Sequence, residues 1–193
     1  SGVIIFGSAP DYETKTSYSI TVNVSDGVNT DTQALTIIVT NVNDVAPVIS
    51  SSATYSAAEN QTVVGTVSAS DADGDSLTYS LSGTDASRFN ISSSGVITFG
   101  SAPDYETQTS YSITVTASDG VNTDTQSLTI TITNVNDIAP VITSSATFSV
   151  AENQTSVGTV TASDAEGDTL SYSLSGTDAS SFSISSSGII TFD

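Results

Sequence analysis

Cysteine, histidine, methionine and tryptophan are all absent from this 193-residue chain, and Lys15 and Arg88 are its only basic side chains. Without cysteine there can be no disulfide, thiolate metal site or thiol nucleophile. Without histidine the commonest general base and transition-metal ligand is gone. Nucleic acid and anionic bilayers are gripped through Lys and Arg, so neither is an expected partner. No apolar run approaches the roughly 20 residues of a membrane span, so no membrane insertion is expected in this segment. No secretory signal precedes the first strand-like segment. The chain is therefore expected to be the interior of a longer protein or already processed. Sequence signatures of hydrolases and nucleotide enzymes, Gly-x-Ser-x-Gly and Gly-rich phosphate loops, are also missing.

What the chain does hold is acid and hydroxyl. There are 21 Asp and Glu residues, a net charge of −19, and Ser plus Thr make up about a third of the residues. Such charge with few hydrophobics would argue for disorder, yet the apolar residues alternate strictly. In 110–117, Tyr111, Ile113, Val115 and Ala117 share one face; Leu128, Ile130 and Ile132 repeat the pattern. A two-residue period rich in Thr, Val, Ile and Tyr predicts half-buried antiparallel strands and an all-β fold.

Self-comparison is more informative still. At an offset of 93, residues 1–100 match residues 94–193 at 80 of 100 positions without a gap. That period is too long for a solenoid and suits a sandwich domain of about 100 residues. Each copy ends at Asn-Asp-Ile/Val-Ala-Pro, where Pro47 and Pro140 stop the last strand. Residues 1–47 thus read as the C-terminal half of one repeat, 48–140 as a complete repeat, and 141–193 as the N-terminal half of the next. Within the complete repeat seven strands are expected, at about 49–57, 62–70, 77–82, 88–92, 95–99, 110–118 and 124–134. Seven strands of this length suggest a Greek-key β-sandwich.

Residues 48–140 carry ten acidic side chains and one basic one. Eight of the acids stand at strand ends: Glu59, Asp71, Asp73, Asp75, Asp104, Glu106, Asp119 and Asp137. Only Asp85 and Asp124 stand apart. Strand ends converge at the poles of a sandwich, so these carboxylates are expected to crowd where one repeat meets the next. Like charges that close repel, and two bases cannot offset them. Hard oxygen donors without nitrogen or sulfur point to Ca2+, which accepts six to eight oxygens in flexible geometry; Mg2+, with its tighter octahedron, suits them less. The Asp71–Asp75 string is no EF-hand, since its sixth position is Ser76 and no Glu stands at the twelfth. Paired carboxylates also serve glycosidases, but those need an acid and a base across a substrate cleft; no enzymatic activity is expected.

Five ordered motifs resemble the cadherin repeat: Ala-Glu-Asn (58–60), Asp-Ala-Asp-Gly-Asp (71–75), Asp-Tyr-Glu (104–106), Ala-Ser-Asp-Gly (117–120) and Asn-Val-Asn-Asp-Ile-Ala-Pro (134–140). The resemblance runs the length of the chain and implies tandem, immunoglobulin-like seven-stranded sandwiches with calcium at the joints between repeats. It implies that Asp11, Glu13, Asn43, Asp44, Asp71, Asp73, Asp75 and Asp119 serve the joint before the complete repeat. The joint after it would use Glu59, Asp104, Glu106, Asn136, Asp137, Asp164 and Glu166, with the backbone carbonyls of Val135, Ile138 and Asp168. Glu152 is the counterpart of Glu59 in the following copy. The chain departs from the family pattern in three of its motifs. Glu166 replaces an Asp, the linkers open with Asn, and Tyr12 and Tyr105 stand where the family has Arg. The lack of Trp excludes the Trp-anchored strand exchange of vertebrate classical cadherins.

Near-identical repeats rich in Ser and Thr, without Cys, resemble bacterial cadherin-like arrays of large surface adhesins. The resemblance implies a calcium-rigidified extracellular spacer or filament segment on a cell surface, with homophilic or neighbouring-repeat contacts. Residues 141–186 and 1–47 sum to one repeat. Halves of two molecules could thus complete each other head to tail, or the chain is a window on a longer array. The alternative function is a calcium-dependent polysaccharide- or protein-binding module of a secreted multidomain protein. The string Asn60-Gln61-Thr62 is a glycosylation sequon by pattern only.

Overall fold

The computed structural model describes residues 2–193, and they are almost entirely strand, turn and loop. The described residues divide into two compact units. The first comprises the residues up to Ala57, Gln61–Ala102 and Ser110–Thr131; the second comprises Ala58–Asn60, Pro103–Thr109 and Ile132–Asp193.

Among the described residues sixteen strands form, in chain order. Residues 2–47 contribute one hairpin, β1 (Ser17–Ser25) and β2 (Thr30–Ile38), paired from Ser17↔Ile38 to Ser25↔Thr30. Residues 48–140 supply β3 (Val48–Ile49), β4 (Thr54–Ala58), β5 (Val63–Thr66), β6 (Ala69–Ser70), β7 (Thr78–Ser82), β8 (Phe89–Ile91), β9 (Val96–Phe99), β10 (Ser110–Ser118) and β11 (Thr123–Thr133). Their sheets run β4-β11-β10-β7, β5-β9-β8 and the short pair β3-β6. After them come β12 (Val141–Ile142), β13 (Ser156–Thr159), β14 (Ala162–Ser163), β15 (Phe182–Ile184) and β16 (Ile189–Phe192), in sheets β12-β14 and β13-β16-β15.

Strand chemistry explains most of this. In β10 the alternation of Ser or Thr with Tyr111, Ile113, Val115 and Ala117 puts all four apolar residues in the core, none more than 4 % exposed. They meet Leu128, Ile130 and Ile132 of β11 and, from β5-β9-β8 and its flanks, Val64, Val67, Phe89, Ile97 and Phe99 as the buried set. Phe89, Phe99 and Tyr111 form an aromatic cluster with ring centroids 4.4–5.6 Å apart.

Two of the seven expected strands divide. The 49–57 segment becomes β3, which pairs with β6, and β4, which joins the β11 sheet. The crossing falls on the Ser-rich stretch between them, where Ser52 Oγ accepts the Thr54 amide and substitutes for a ladder bond. The 62–70 segment breaks into β5 and β6 at Val67, whose amide turns to the Gly95 carbonyl. Within β5 the register shifts between Val63 and Gly65. A Cβ at Gly65 would lie 2.6 Å from the Tyr55 ring, so the bulge rests on that glycine. Two single 3₁₀ turns, Ala86–Arg88 and Ala179–Ser181, lie where the sequence reading expected only loop and strand.

The two acids that stand apart have structural employment. Asp85 Oδ2 accepts the Ser112 amide at 2.8 Å and Asp124 Oδ2 accepts the Ile49 amide at 2.8 Å. Both basic side chains lie over rings: Lys15 is 4.4 Å from the Tyr18 centroid and Arg88 is 5.8 Å from that of Tyr111.

Gly95 adopts a φ of +80°, and a Cβ there would come within 2.2 Å of the Val67 carbonyl oxygen. Gly95→Ala should therefore destabilise the complete repeat by more than about 1 kcal/mol. Ile97→Ala, at a position with no exposure, should cost about 2–5 kcal/mol. Urea midpoints of the two variants against the parent chain check both values.

Candidate metal centres

Four acidic groups with oxygens mutually within 4.8 Å form among the described residues, two in each unit. In the first unit they are Glu13–Asp44–Asp73 and Asp71–Asp73–Asp75; in the second, Glu59–Glu106–Asp137 and Asp164–Glu166–Asp168.

Backbone amides hold these side chains in place despite their repulsion. Asp73 Oδ2 accepts both linker amides, Asp44 N at 3.2 Å and Val45 N at 2.9 Å. Its own carbonyl accepts the Asn41 side-chain amide. The Asp71 Oδ1 atom accepts the Asp75 amide, which closes the Asp-Gly-Asp turn. In the second unit Glu59, 2 % exposed, lies across two amides: Val135 N at 2.7 Å on Oε1 and Tyr105 N at 2.8 Å on Oε2. Glu166 takes Asp137 N at 2.9 Å on Oε1 and Ile138 N at 3.1 Å on Oε2. Asp164 Oδ1 holds the amides of Glu166 and Asp168, and the Asn136 side chain donates to Asp168. Asp11 and Asp104 each close a turn through the hydroxyl of Thr14 or Thr107, at 2.7 and 2.9 Å.

The structure thus gathers most of the residues anticipated from sequence. Glu13, Asp44, Asp71, Asp73 and Asp75 fall in the groups of the first unit, and Glu59, Glu106, Asp137, Asp164, Glu166 and Asp168 in those of the second. Asp11, Asp104 and Asp119 flank them. Asn43 Oδ1 accepts the side-chain amide of Asn122, whose backbone and side chain also bond Asp119. Val135 and Ile138 take part through their amides. Glu152 is exposed and belongs to none of the groups found among the described residues. Sequence reasoning passed over Asn41, Asn60 and Asn122. Asn60, at φ 61°, donates its side-chain amide to Asp137. All three recur as Asn at the offset of 93, which was the available signal.

Crowding shows in the acid–base behaviour. Loss of solvent, then the charges of Asp71, Asp73 and Asp119, push the Asp75 carboxyl above its ordinary range. Glu106 is raised by desolvation and by the charges of Glu59, Glu166 and Asp104, which together outweigh its own backbone amide. The backbone amide of Glu13 pulls its carboxyl down, but Asp73, lost solvent and Asp11 carry it up on balance. Asp11 and Asp104 are lowered, chiefly by the Thr14 and Thr107 hydroxyls. Burial pushes Asp119 up, but the amides of Asn122 and Val121 bring it below the ordinary range.

The donor set is all oxygen, and it has spare capacity. Asp71 Oδ2 and Asp73 Oδ1 are buried with no hydrogen-bond partner among the described residues. An orphaned carboxylate oxygen is costly unless a cation or donor completes it. These atoms therefore fit a hard divalent ion better than they fit one another.

Comparison with known proteins gives this arrangement a family. The cadherin domain model matches residues 53–133. Residues 53–133 are a cadherin domain. The fold extends over nearly all of the chain. A protocadherin gammaB7 EC3-6 cis-dimer structure aligns with 96 % of it at a TM-score of 0.78 and 26 % identity, over 52 % of that chain. Mouse cadherin-23 EC22-24 aligns with 96 % at a TM-score of 0.69 and 27 % identity, over 66 % of that chain. Among curated proteins, mouse cadherin-related family member 2 is 35 % identical over 88 residues, covering 45 % of this chain and 7 % of that protein. Chitinase A of Pseudoalteromonas piscicida is 33 % identical over 131 residues, covering 67 % of this chain and 16 % of that protein. The chain thus spans a small fraction of both curated relatives. It is an all-β, cadherin-like sandwich, and cadherin domains are typically extracellular adhesion modules without enzymatic activity. No described helix is long and apolar enough to cross a membrane.

The shifted carboxyls set a pH dependence. Asp75, Glu13 and Glu106 have folded values above the ordinary 3.8 and 4.5. Between the ordinary and raised values the folded chain binds more protons than the unfolded one, so stability falls as pH rises through that window. Asp11, Asp104 and Asp119 act oppositely: their contribution is present above the ordinary 3.8 and lost as pH falls through the lowered values. In EDTA the thermal midpoint should therefore be higher near about pH 5 than at about pH 7.5, and drop again below about pH 3. Differential scanning calorimetry across that range checks the shape of the curve.

Proposed function

We infer that this chain is a calcium-rigidified extracellular repeat segment of a surface adhesin, bacterial in type, with repeats divided at 47/48 and 140/141. The observation that carries the reading is the pair of orphaned oxygens, Asp71 Oδ2 and Asp73 Oδ1, in an acidic centre tied to the linker by the Asp44 and Val45 amides. In this reading Asp11, Glu13, Asn43, Asp44, Asp71, Asp73, Asp75 and Asp119 hold calcium on one side of the complete repeat. Glu59, Asp104, Glu106, Asn136, Asp137, Asp164, Glu166 and Asp168 hold it on the other, with Val135 and Ile138.

Calcium would supply the positive charge that cancels the repulsion among these side chains. The protein's own residues do the rest. The Asp73 and Glu166 carboxylates clasp the linker amides, Glu59 ties the Tyr105 turn to Val135, and the Asn side chains set the carboxylate orientations. Binding in the millimolar range of extracellular modules, at tenfold excess, would add about 1.4 kcal/mol per site. Several sites at one linker are enough to decide between a flexing joint and a fixed one. Neighbouring repeats and further copies of the chain are the partners this reading implies, in keeping with the cis-dimer reported for the protocadherin relative.

Small-angle scattering of the chain in millimolar calcium and in EDTA tests the proposal. The maximum dimension should increase in calcium, and identical profiles would remove the mechanism. The likeness to Chitinase A favours a second reading, a polysaccharide-binding module of a secreted enzyme. Calcium-dependent retention of this chain on chitin beads would support that reading, and its passage unretained would leave the spacer.

A further inference from the structure

The two units are built from the same motif, but one carboxylate is connected differently in each. In the first unit Asp73 places both linker amides on a single oxygen, Oδ2, and leaves Oδ1 buried and unengaged. Asp73 is also common to both acidic groups of that unit. At the equivalent position of the second unit, Glu166 has one more methylene and straddles the linker. It gives Oε1 to Asp137 N and Oε2 to Ile138 N, so both of its oxygens are engaged. The two acidic groups of that unit, Glu59–Glu106–Asp137 and Asp164–Glu166–Asp168, share no residue.

An oxygen already accepting an amide has given up a lone pair and part of its negative potential, so it is a poorer ligand than one with no partner. An oxygen held rigid and buried with no partner has also met its ordering cost on folding. We propose that Asp73 and Glu166 grade the calcium response of this chain: Asp73, common to both acidic groups, keeps one oxygen free and makes the first unit's centre fill at low calcium, whereas Glu166 spends both oxygens on the linker and makes the second unit's centre fill at higher calcium. The proposal rests on the calcium reading above. Its consequence is an array whose joints stiffen in sequence as calcium rises, set by an Asp-to-Glu exchange at one position per linker.

Gly74 and Gly167 each follow the deciding carboxylate and report the two centres separately in ¹H–¹⁵N spectra. In a calcium titration of the whole chain, the Gly74 signal should reach its midpoint at lower calcium than that of Gly167. Glu166→Asp should lower the Gly167 midpoint by about tenfold, the worth of one bond to a charged group, and leave Gly74 in place. Asp73→Glu should raise the Gly74 midpoint by a similar factor and leave Gly167 in place. Melting in EDTA shows that both variants remain folded. Midpoints that answer to calcium but ignore both exchanges would overturn this proposal and leave the calcium reading standing. Two glycine signals unmoved throughout would overturn both.

Discussion

The structure depends on a contest between carboxylates that repel one another and backbone amides that will not let them part. Asp73 and Glu166 each hold two consecutive linker amides, and Glu59 holds one amide from the Tyr105 turn and one from the strand end at Val135. Each bond satisfies a backbone donor in a turn or linker, outside any strand ladder. The same bonds concentrate negative charge, and Asp75, Glu13 and Glu106 answer by holding their protons more tightly. Backbone satisfaction and charge crowding are two consequences of one arrangement. A cation that relieves the second does so without loosening the first.

This explains why so acidic a chain is folded. The core is assembled from alternating β-branched and aromatic residues on β5, β8, β9, β10 and β11, and it contains no charged group. The acids lie outside it, in turns, loops and linker-facing ends where water reaches most of them. Glu59 is the buried exception, and both of its oxygens are occupied. Asp85 and Asp124, away from the centres, are likewise tied to backbone amides, Asp85 to that of Ser112 and Asp124 to those of Ile49 and Thr125. Acidity and stability are therefore kept in different parts of the repeat.

Near-identical sequences do not lead to identical structures here. Tyr18, Ile20 and Val22 of β1 alternate as Tyr111, Ile113 and Val115 of β10 do, yet the former are half-buried and the latter buried. Residues 147–151 and 171–175 repeat β4 and β7 but form no strand. β4 and β7 lie beside β11 and β10, and residues 141–193 hold no equivalent of β10 or β11. By contrast, β13-β16-β15 reproduces β5-β9-β8, with the register shift at Ser156/Gly158 matching that at Val63/Gly65. A strand forms where a partner strand is available to pair with it, however far along the chain: β4 pairs with β11 across some 70 residues.

Period-two alternation, the offset of 93 and the ordered acidic motifs determined the all-β class, the strands β7 to β11, the turns at Asp-Gly-Asp and Ser-Gly, and most of the clustered acids. Those features are local or repeat in register, so they can be read one residue at a time. Tertiary structure alone decided that the first two expected strands break and change sheets, since that follows from which neighbour offers a free edge. It alone recruited Asn41, Asn60 and Asn122 and left Glu152 in solvent. It alone separated Asp73 from Glu166, two side chains of one chemistry, because a single methylene determines whether one oxygen or two must satisfy the linker amides.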